Sequence, residues 1–69
     1  MLLNASISVL REVEYSGSAT RRDIPISVTI KNKVINNLVS TGLIIEIKKT
    51  IYITDLGVMF LKFIDQHSI

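Results

Sequence analysis

The chain has 69 residues and a mass of 7.7 kDa, and it contains no cysteine. This length predicts a single domain over residues 1–69. The lack of cysteine excludes disulfides, thiolate zinc sites and a cysteine nucleophile. The mean hydropathy is +0.43, but no apolar run approaches the roughly 20 residues that span a bilayer. The composition therefore predicts a soluble cytoplasmic protein that makes no membrane contact.

The net charge of +2 is unevenly distributed. Residues 16–54 carry a net +4, whereas the segments on either side carry −1 each. The central cations form three pairs, which are Arg21 with Arg22, Lys31 with Lys33, and Lys48 with Lys49. Basic residues gathered in one region are typical of a phosphate-binding surface, although a solvated basic surface explains the charge equally well.

The first predicted element is a helix that begins at Asn4 as its N-cap and continues to about residue 13. Its predicted buried stripe, at helical spacing, comprises Leu3, Ile7, Leu10 and Val13. Gly17 suits the left-handed residue that ends such a helix. Thr20 and Asp23 then form a possible capping box, and Pro25 limits the second helix to about one turn.

Residues 27–40 form the strongest helical segment, with Ser27 as N-cap and Gly42 as the terminating residue. One half of this helix is apolar except for Lys31, and it comprises Val28, Ile30, Val34, Ile35, Leu38 and Val39. The other half comprises Thr29, Asn32, Lys33, Asn36, Asn37 and Ser40. Asn, Thr and Ser are poorer helix formers than the Glu, Lys and Gln that usually solvate a helix. A polar half without acids therefore favours contact with a polyanion over simple solvation.

Two short β-branched runs, residues 43–47 and 51–54, predict a hairpin. The connection contains no Gly, Asn or Asp, so we expect a loop of three or four residues rather than a two-residue turn. Thr54 would cap a last helix over residues 55–66. That helix has an apolar arc wider than one core requires, which predicts a homodimer through the terminal helices. The proposed interface residues are Met59, Phe60, Phe63 and Ile64.

Two motifs carry a family resemblance. Residues 37–44 (NLVSTGLI) resemble the L-x-x-x-G-L-I junction between recognition helix and wing in winged helix-turn-helix proteins. Residues 51–61 (IYITDLGVMFL) are similar to the L-T-x-x-G-x-x-x-L entry to the last helix of that family. These patterns recur in MarR-like, PadR-like and small archaeal or viral regulators, and the twelve isoleucines also suggest an archaeal or viral source.

The resemblance implies an α+β fold, mainly helical with a small β-hairpin, built as a three-helix core plus a wing and a C-terminal helix. It also implies a transcriptional regulator that binds double-stranded DNA in the cytoplasm or nucleoid, or in the host cytoplasm if viral. The helix at 27–40 would enter the major groove and the wing at 44–54 would lie on the backbone. The implied DNA contacts are Arg21, Arg22, Ser27, Thr29, Lys31, Asn32, Lys33, Asn36, Lys48 and Lys49.

Individual roles follow from base and phosphate chemistry. Asn32 and Asn36 could pair with adenine, Thr29 could touch a thymine methyl, and Lys33 could reach guanine or phosphate. The remaining residues would contact the backbone.

Other functions have less support. The six carboxylates are scattered, and the one histidine, His67, is expected in a frayed tail, so we predict no enzyme, metal, cofactor or small-molecule ligand. The alternative is a winged-helix protein–protein interaction module that does not bind DNA, and RNA binding is a third option.

Overall fold

The computed structural model describes residues 3–67, which form three α-helices, one short 3-10 helix and three strands. In chain order they are α1 (Leu3–Ser16), β1 (Ala19–Thr20), the 3-10 helix Arg21–Asp23, α2 (Val28–Thr41), β2 (Ile44–Ile47), β3 (Thr50–Ile53) and α3 (Asp55–His67). The strands form one antiparallel sheet with β3 between β1 and β2. The predicted α+β class with a hairpin is confirmed, whereas β1 was not predicted.

Helix α1 differs from its prediction in its start and in its buried face. The helix already includes Leu3, so Asn4 lies in the first turn and its assignment as N-cap was wrong. Leu3 is 50% exposed and Ile7 is only half-buried. The buried residues are Ser6, Val9, Leu10 and Val13. They keep the i, i+3, i+4, i+7 spacing, so Leu10 and Val13 are buried as predicted, whereas Ser6 and Val9 take the places predicted for Leu3 and Ile7.

The segment after α1 follows its predicted turn chemistry. Gly17 has a φ of +82°, the left-handed conformation expected of a residue that ends a helix. The backbone N–H of Thr20 donates to the Asp23 carboxylate over 3.1 Å, which lowers the pKa of that carboxyl. The following helix is only three residues long, because Ile24 is extended ahead of Pro25. Ile24 is 1% exposed and anchors this segment to the core.

Helix α2 agrees closely with the predicted segment. The Ser27 hydroxyl accepts from the Thr29 N–H over 3.3 Å, and Gly42 ends the helix with a φ of +83°. The residues buried by α2 are Val34, Ile35 and Leu38. Three of the predicted apolar positions are not buried, since Val28 is 71% exposed, Val39 is 39% exposed and Ile30 is half-buried. They flank the buried stripe, which is narrower than the apolar half of the helix.

The hairpin connection contradicts the predicted loop length. Ile47 pairs with Thr50, which leaves a two-residue turn. Both turn residues are left-handed, with φ of +49° at Lys48 and +69° at Lys49. This is the geometry of a type I′ turn, whose twist matches that of the two strands. The strand pairing therefore determines the turn, although neither residue favours its conformation.

Helix α3 is joined to the base of the hairpin by contacts of Thr54 and Gly57. The Thr54 hydroxyl accepts from the Gly57 N–H over 3.1 Å, which confirms Thr54 as a cap. The same hydroxyl donates to the Gly42 carbonyl over 2.6 Å. A Cβ at Gly57 would collide with the Leu43 carbonyl oxygen and lie 2.6 Å from the Ile53 side chain. Helix α3 therefore lies close to the backbone of Leu43 at this glycine.

The core lies between the three helices and the inner face of the sheet. Its largest fully buried apolar side chains are Leu10, Ile24, Ile35, Leu38, Ile44, Ile51 and Leu61. None of the helices within residues 3–67 is long and apolar enough to cross a membrane.

Candidate nucleic-acid interface

One depression, which we call the tip depression, brings together three residues of the predicted basic pairs, Arg21, Arg22 and Lys49. It lies between the 3-10 helix and the hairpin turn, and its lining comprises Thr20, Arg21, Arg22, Asp23, Glu46 and Lys49. Arg22 and Lys49 are both exposed. The two acids are already engaged, since Asp23 accepts from Thr20 and Glu46 accepts from Arg21. The depression therefore presents two exposed cations, of which Arg22 lies near enough to Asp23 to help lower the pKa of that carboxyl.

A second concave surface, the α2 groove, follows the polar half of α2 beside the start of α1. Its lining comprises Ser6, Thr29, Ile30, Lys33, Val34, Asn36, Asn37 and Ser40. The polar residues that α2 contributes are all exposed. Lys33 is the one charged residue among the described residues of this lining. A polyanion entering the α2 groove would meet amides, hydroxyls and one cation.

Four side chains connect the two surfaces, and we call them the Arg21 cluster. Arg21 Nε donates to Glu46 Oε2 over 2.9 Å and Nη2 donates to Oε1 over 2.8 Å. Arg21 Nη1 donates to Asn32 Oδ1 over 2.8 Å, and Nη2 donates to Asn36 Oδ1 over 3.0 Å. Four of the five guanidinium N–H groups are thus committed within the chain. Arg21, predicted as a phosphate contact, joins the 3-10 helix, α2 and β2.

The charges in the Arg21 cluster stabilise one another. Hydrogen bonding by Arg21 holds the pKa of the Glu46 carboxyl below its usual value, and the same bonds raise the pKa of Arg21. The side chains are 31% and 23% exposed for Arg21 and Glu46, so water screens this pair only in part. Glu46 stays ionised, and the fork–fork geometry fixes the plane of the guanidinium.

The Arg21 cluster also determines how the two asparagines are turned. A guanidinium has no hydrogen-bond acceptor, so only the amide oxygen of an asparagine can face it. Oδ1 of Asn32 and of Asn36 therefore points towards Arg21, and Nδ2 points away from it. The predicted pairing with adenine requires Oδ1 as an acceptor, but both of these oxygens already accept from Arg21.

The other predicted DNA contacts lie around these surfaces. Thr29 and Lys33 line the α2 groove, whereas Ser27 is exposed at the start of α2, where its hydroxyl caps the helix. Lys48 is exposed in the hairpin turn. Lys31 is half-buried and lines neither surface, in agreement with its position on the apolar side of α2.

Helix α3 carries an exposed apolar stripe. Met59 is 64% exposed and Phe63 is 58% exposed, but Phe60 and Ile64 are half-buried, and Phe60 packs on the core. Leu56, 52% exposed, continues the stripe by one turn and was not among the predicted interface residues. Its spacing of three from Met59 was the available signal. The stripe is left uncovered by the rest of residues 3–67.

His67 is not a frayed tail residue as predicted. It lies in the last turn of α3, where its ring stacks on Phe63 with centroids 4.2 Å apart. Its Nδ1 also lies 2.8 Å from the Phe63 carbonyl oxygen.

The outer face of the hairpin was also missed by the sequence analysis. Ile45 is 43% exposed and pairs with Tyr52, which is 40% exposed, while Ile47 is 53% exposed. These residues alternate along the strands with the buried ones, so the period of two was the signal that could have found them.

The described residues 3–67 contain no cluster of three or more His, Asp or Glu side chains that could hold a metal ion. Comparisons with protein-family models, curated proteins and solved structures found no match for this chain.

Proposed function

We propose that this chain is a winged helix-turn-helix protein that binds double-stranded DNA sequence-specifically and regulates transcription. The observation that carries the proposal is the exposed Asn, Thr and Lys face of α2, which is joined through the Arg21 cluster to the basic tip depression. In this proposal, α2 is the recognition helix and the β2–β3 hairpin is the wing.

The order of elements supports this proposal. A helix, a short strand, a one-turn helix, a longer helix and a hairpin follow one another, and the small strand pairs with the hairpin. The 14 residues of α2 extend about 21 Å at 1.5 Å per residue. The major groove is about 12 Å wide and admits one α-helix, so α2 would present two to three turns to base edges.

The conformation of the wing turn is a second, independent support. Lys48 and Lys49 occupy left-handed backbone positions that Asn and Gly fill at lower energy. Backbone strain of this kind often occurs at functional sites. Two cations kept at strained positions, of which Lys49 lines the tip depression with Arg22, agree with a wing that contacts the phosphate backbone.

The apolar stripe of α3 supports the dimer that such a regulator uses to read two half-sites. We propose a two-fold homodimer centred on Met59 and Phe63, both more than half exposed. Sedimentation velocity should find a dimer that Met59→Glu converts to a monomer, whereas Gln66→Glu on the same helix leaves it intact. A monomeric parent protein would contradict this part of the proposal.

The alternative, a winged-helix interaction module that does not bind DNA, is favoured by one observation. Ile45, Ile47 and Tyr52 form an exposed apolar face on the hairpin. A wing that lies on phosphates gains little from such a face, whereas a partner protein would bury it.

Duplex binding at several salt concentrations separates the two functions. Fluorescence anisotropy with a random-sequence duplex should show an affinity that falls steeply with salt, and the double variant Lys48→Gln/Lys49→Gln should lower that slope by about 2. Lys62→Gln, which neutralises an exposed lysine of α3, is the matched control and should leave the slope unchanged. An absence of salt-dependent duplex binding would refute the proposal. If the protein bound an RNA competitor more strongly than the duplex, RNA and not DNA would be its nucleic-acid partner.

A further inference from the structure

We infer that Arg21 is a positioning residue for base recognition, and that it turns Asn32 and Asn36 into a pair of hydrogen-bond donors that select base-edge acceptors. This inference rests on the proposed function and goes beyond it by naming what α2 reads. Guanine is the base that fits best, because its O6 and N7 are both acceptors on the major-groove edge.

The bonds from Arg21 fix the direction of the two asparagine amides. Arg21 can only donate, so each Oδ1 faces the guanidinium and each Nδ2 faces away. Asn32 and Asn36 are both exposed and are separated by one helical turn. The result is two amide donors on neighbouring positions of the same α2 face.

Arg21 is itself held rigidly by Glu46. Glu46 on β2 receives two hydrogen bonds from Arg21, at 2.9 and 2.8 Å. This bidentate contact fixes the plane of the guanidinium, and therefore the direction of the bonds to the asparagines. A lysine would keep the charge but would not reproduce four directed bonds.

Most of the Arg21 guanidinium is not available to bind a phosphate. Four of its five N–H groups are in use, and Glu46 neutralises its charge. Arg22, the next residue, is exposed, and no side-chain hydrogen bond to it exists within residues 3–67. We therefore expect Arg22 to supply salt-dependent affinity and Arg21 to supply base preference.

The test is binding-site selection from a random duplex pool with three proteins, namely the parent, Arg21→Lys and Arg22→Lys. The parent should enrich guanine at two neighbouring positions. Arg21→Lys should lose that preference while keeping its salt slope, and Arg22→Lys should keep the preference. If Arg21→Lys enriches the same bases as the parent, the inference is wrong. Circular dichroism checks that each variant folds. If Arg21→Lys does not fold, Glu46→Gln takes its place, because it weakens the same contact between Arg21 and Glu46.

Base analogues test the donor assignment directly. Replacing a selected guanine by 7-deazaguanine removes the N7 acceptor and should weaken binding of the parent about fivefold. The same replacement should have no effect on Arg21→Lys. An unchanged affinity of the parent would contradict the donor assignment.

Nuclear magnetic resonance of the free protein separates this inference from the proposed function. The Arg21 Nε–H should exchange slowly with water in the parent and rapidly in Glu46→Gln. A slow Nε–H together with no binding to any duplex would overturn DNA recognition while leaving the cluster intact. Selection of a defined sequence that lacks guanine at neighbouring positions, or a rapidly exchanging Nε–H in the parent, would overturn the inference alone.

Discussion

The base and the tip of the hairpin differ in how well their residues suit the backbone. At the base, Gly42 takes a left-handed conformation, Thr54 caps α3, and Gly57 lies where any side chain would strike the Leu43 carbonyl. At the tip, Lys48 and Lys49 take left-handed conformations that lysine disfavours. The residues at the base are therefore ones that suit the local backbone. The two lysines at the tip keep positive charge there, and the left-handed conformation of each costs about 1 kcal/mol of stability.

The largest expected effect is at the base, from Gly57→Ala. The new Cβ would meet a backbone carbonyl that cannot turn aside, so we expect a loss of about 2–3 kcal/mol in the free energy of unfolding. Urea denaturation measures this loss. Gly17→Ala is the control, because Gly17 has a φ of +82° but open space around it, and it should lose only about 1 kcal/mol. Equal losses at the two glycines would show that no close approach exists at Gly57.

Thr54→Val should have the next largest effect. The change keeps the shape of the side chain but removes the cap on Gly57 and the hydrogen bond to Gly42, for a loss of about 1–2 kcal/mol. Thr29→Val, on the exposed face of α2, should change thermal stability by less than about 0.5 kcal/mol. If both variants were equally stable, the hydrogen bonds of Thr54 would not stabilise the base of the hairpin.

At the tip we predict a change of opposite sign. Lys48→Asn combined with Lys49→Gly supplies the residues that a type I′ turn favours, and it should stabilise the protein by about 1 kcal/mol. The same variant should bind duplex DNA more weakly, because it removes two cations. Chemical denaturation and anisotropy measured on one preparation test both results. A variant that is more stable and binds equally well would show that these lysines serve no DNA contact.

The smallest expected effect is the pH dependence of stability that arises from the ion pair between Arg21 and Glu46. Arg21 holds the pKa of Glu46 below its ordinary value of 4.5, so this carboxylate stabilises the folded state above that pH. The contribution is lost as the pH falls through the lowered pKa of the folded state. Glu46→Gln should therefore be less stable than the parent by about 0.5–1 kcal/mol at pH 7, and the difference should shrink as the pH falls below 4.5. A difference in stability that does not change with pH would refute this role of the charge.

The features that were predictable from sequence are local ones. Ser27, Gly42 and Thr54 act within a few residues of their own positions, so residue type alone located the ends of α2 and the start of α3. Strand β1 has only two residues and exists because β3 lies beside it, so it carried no pattern of its own. The turn at Lys48 and Lys49 is imposed by strand register, against the preference of both residues.

The sequence identified the polar and basic residues of the candidate site but not the contacts between them. The polar face of α2 was visible from helical periodicity, and its side chains are exposed. The pairing of Arg21 with Glu46 joins positions 25 apart in the sequence, and no local pattern indicates it. That pairing turned a predicted phosphate contact into the centre of a side-chain cluster, in which the asparagine oxygens accept from Arg21 instead of from a base.

The most direct test of DNA recognition by α2 is a titration of isotope-labelled protein with a duplex obtained by selection, followed by nuclear magnetic resonance. We predict that the largest shifts fall on the side-chain amides of Asn32 and Asn36, on Lys33 and on the turn at Lys48 and Lys49. Shifts confined to the outer face of the hairpin or to the stripe of α3, with the α2 amides unmoved, would contradict it.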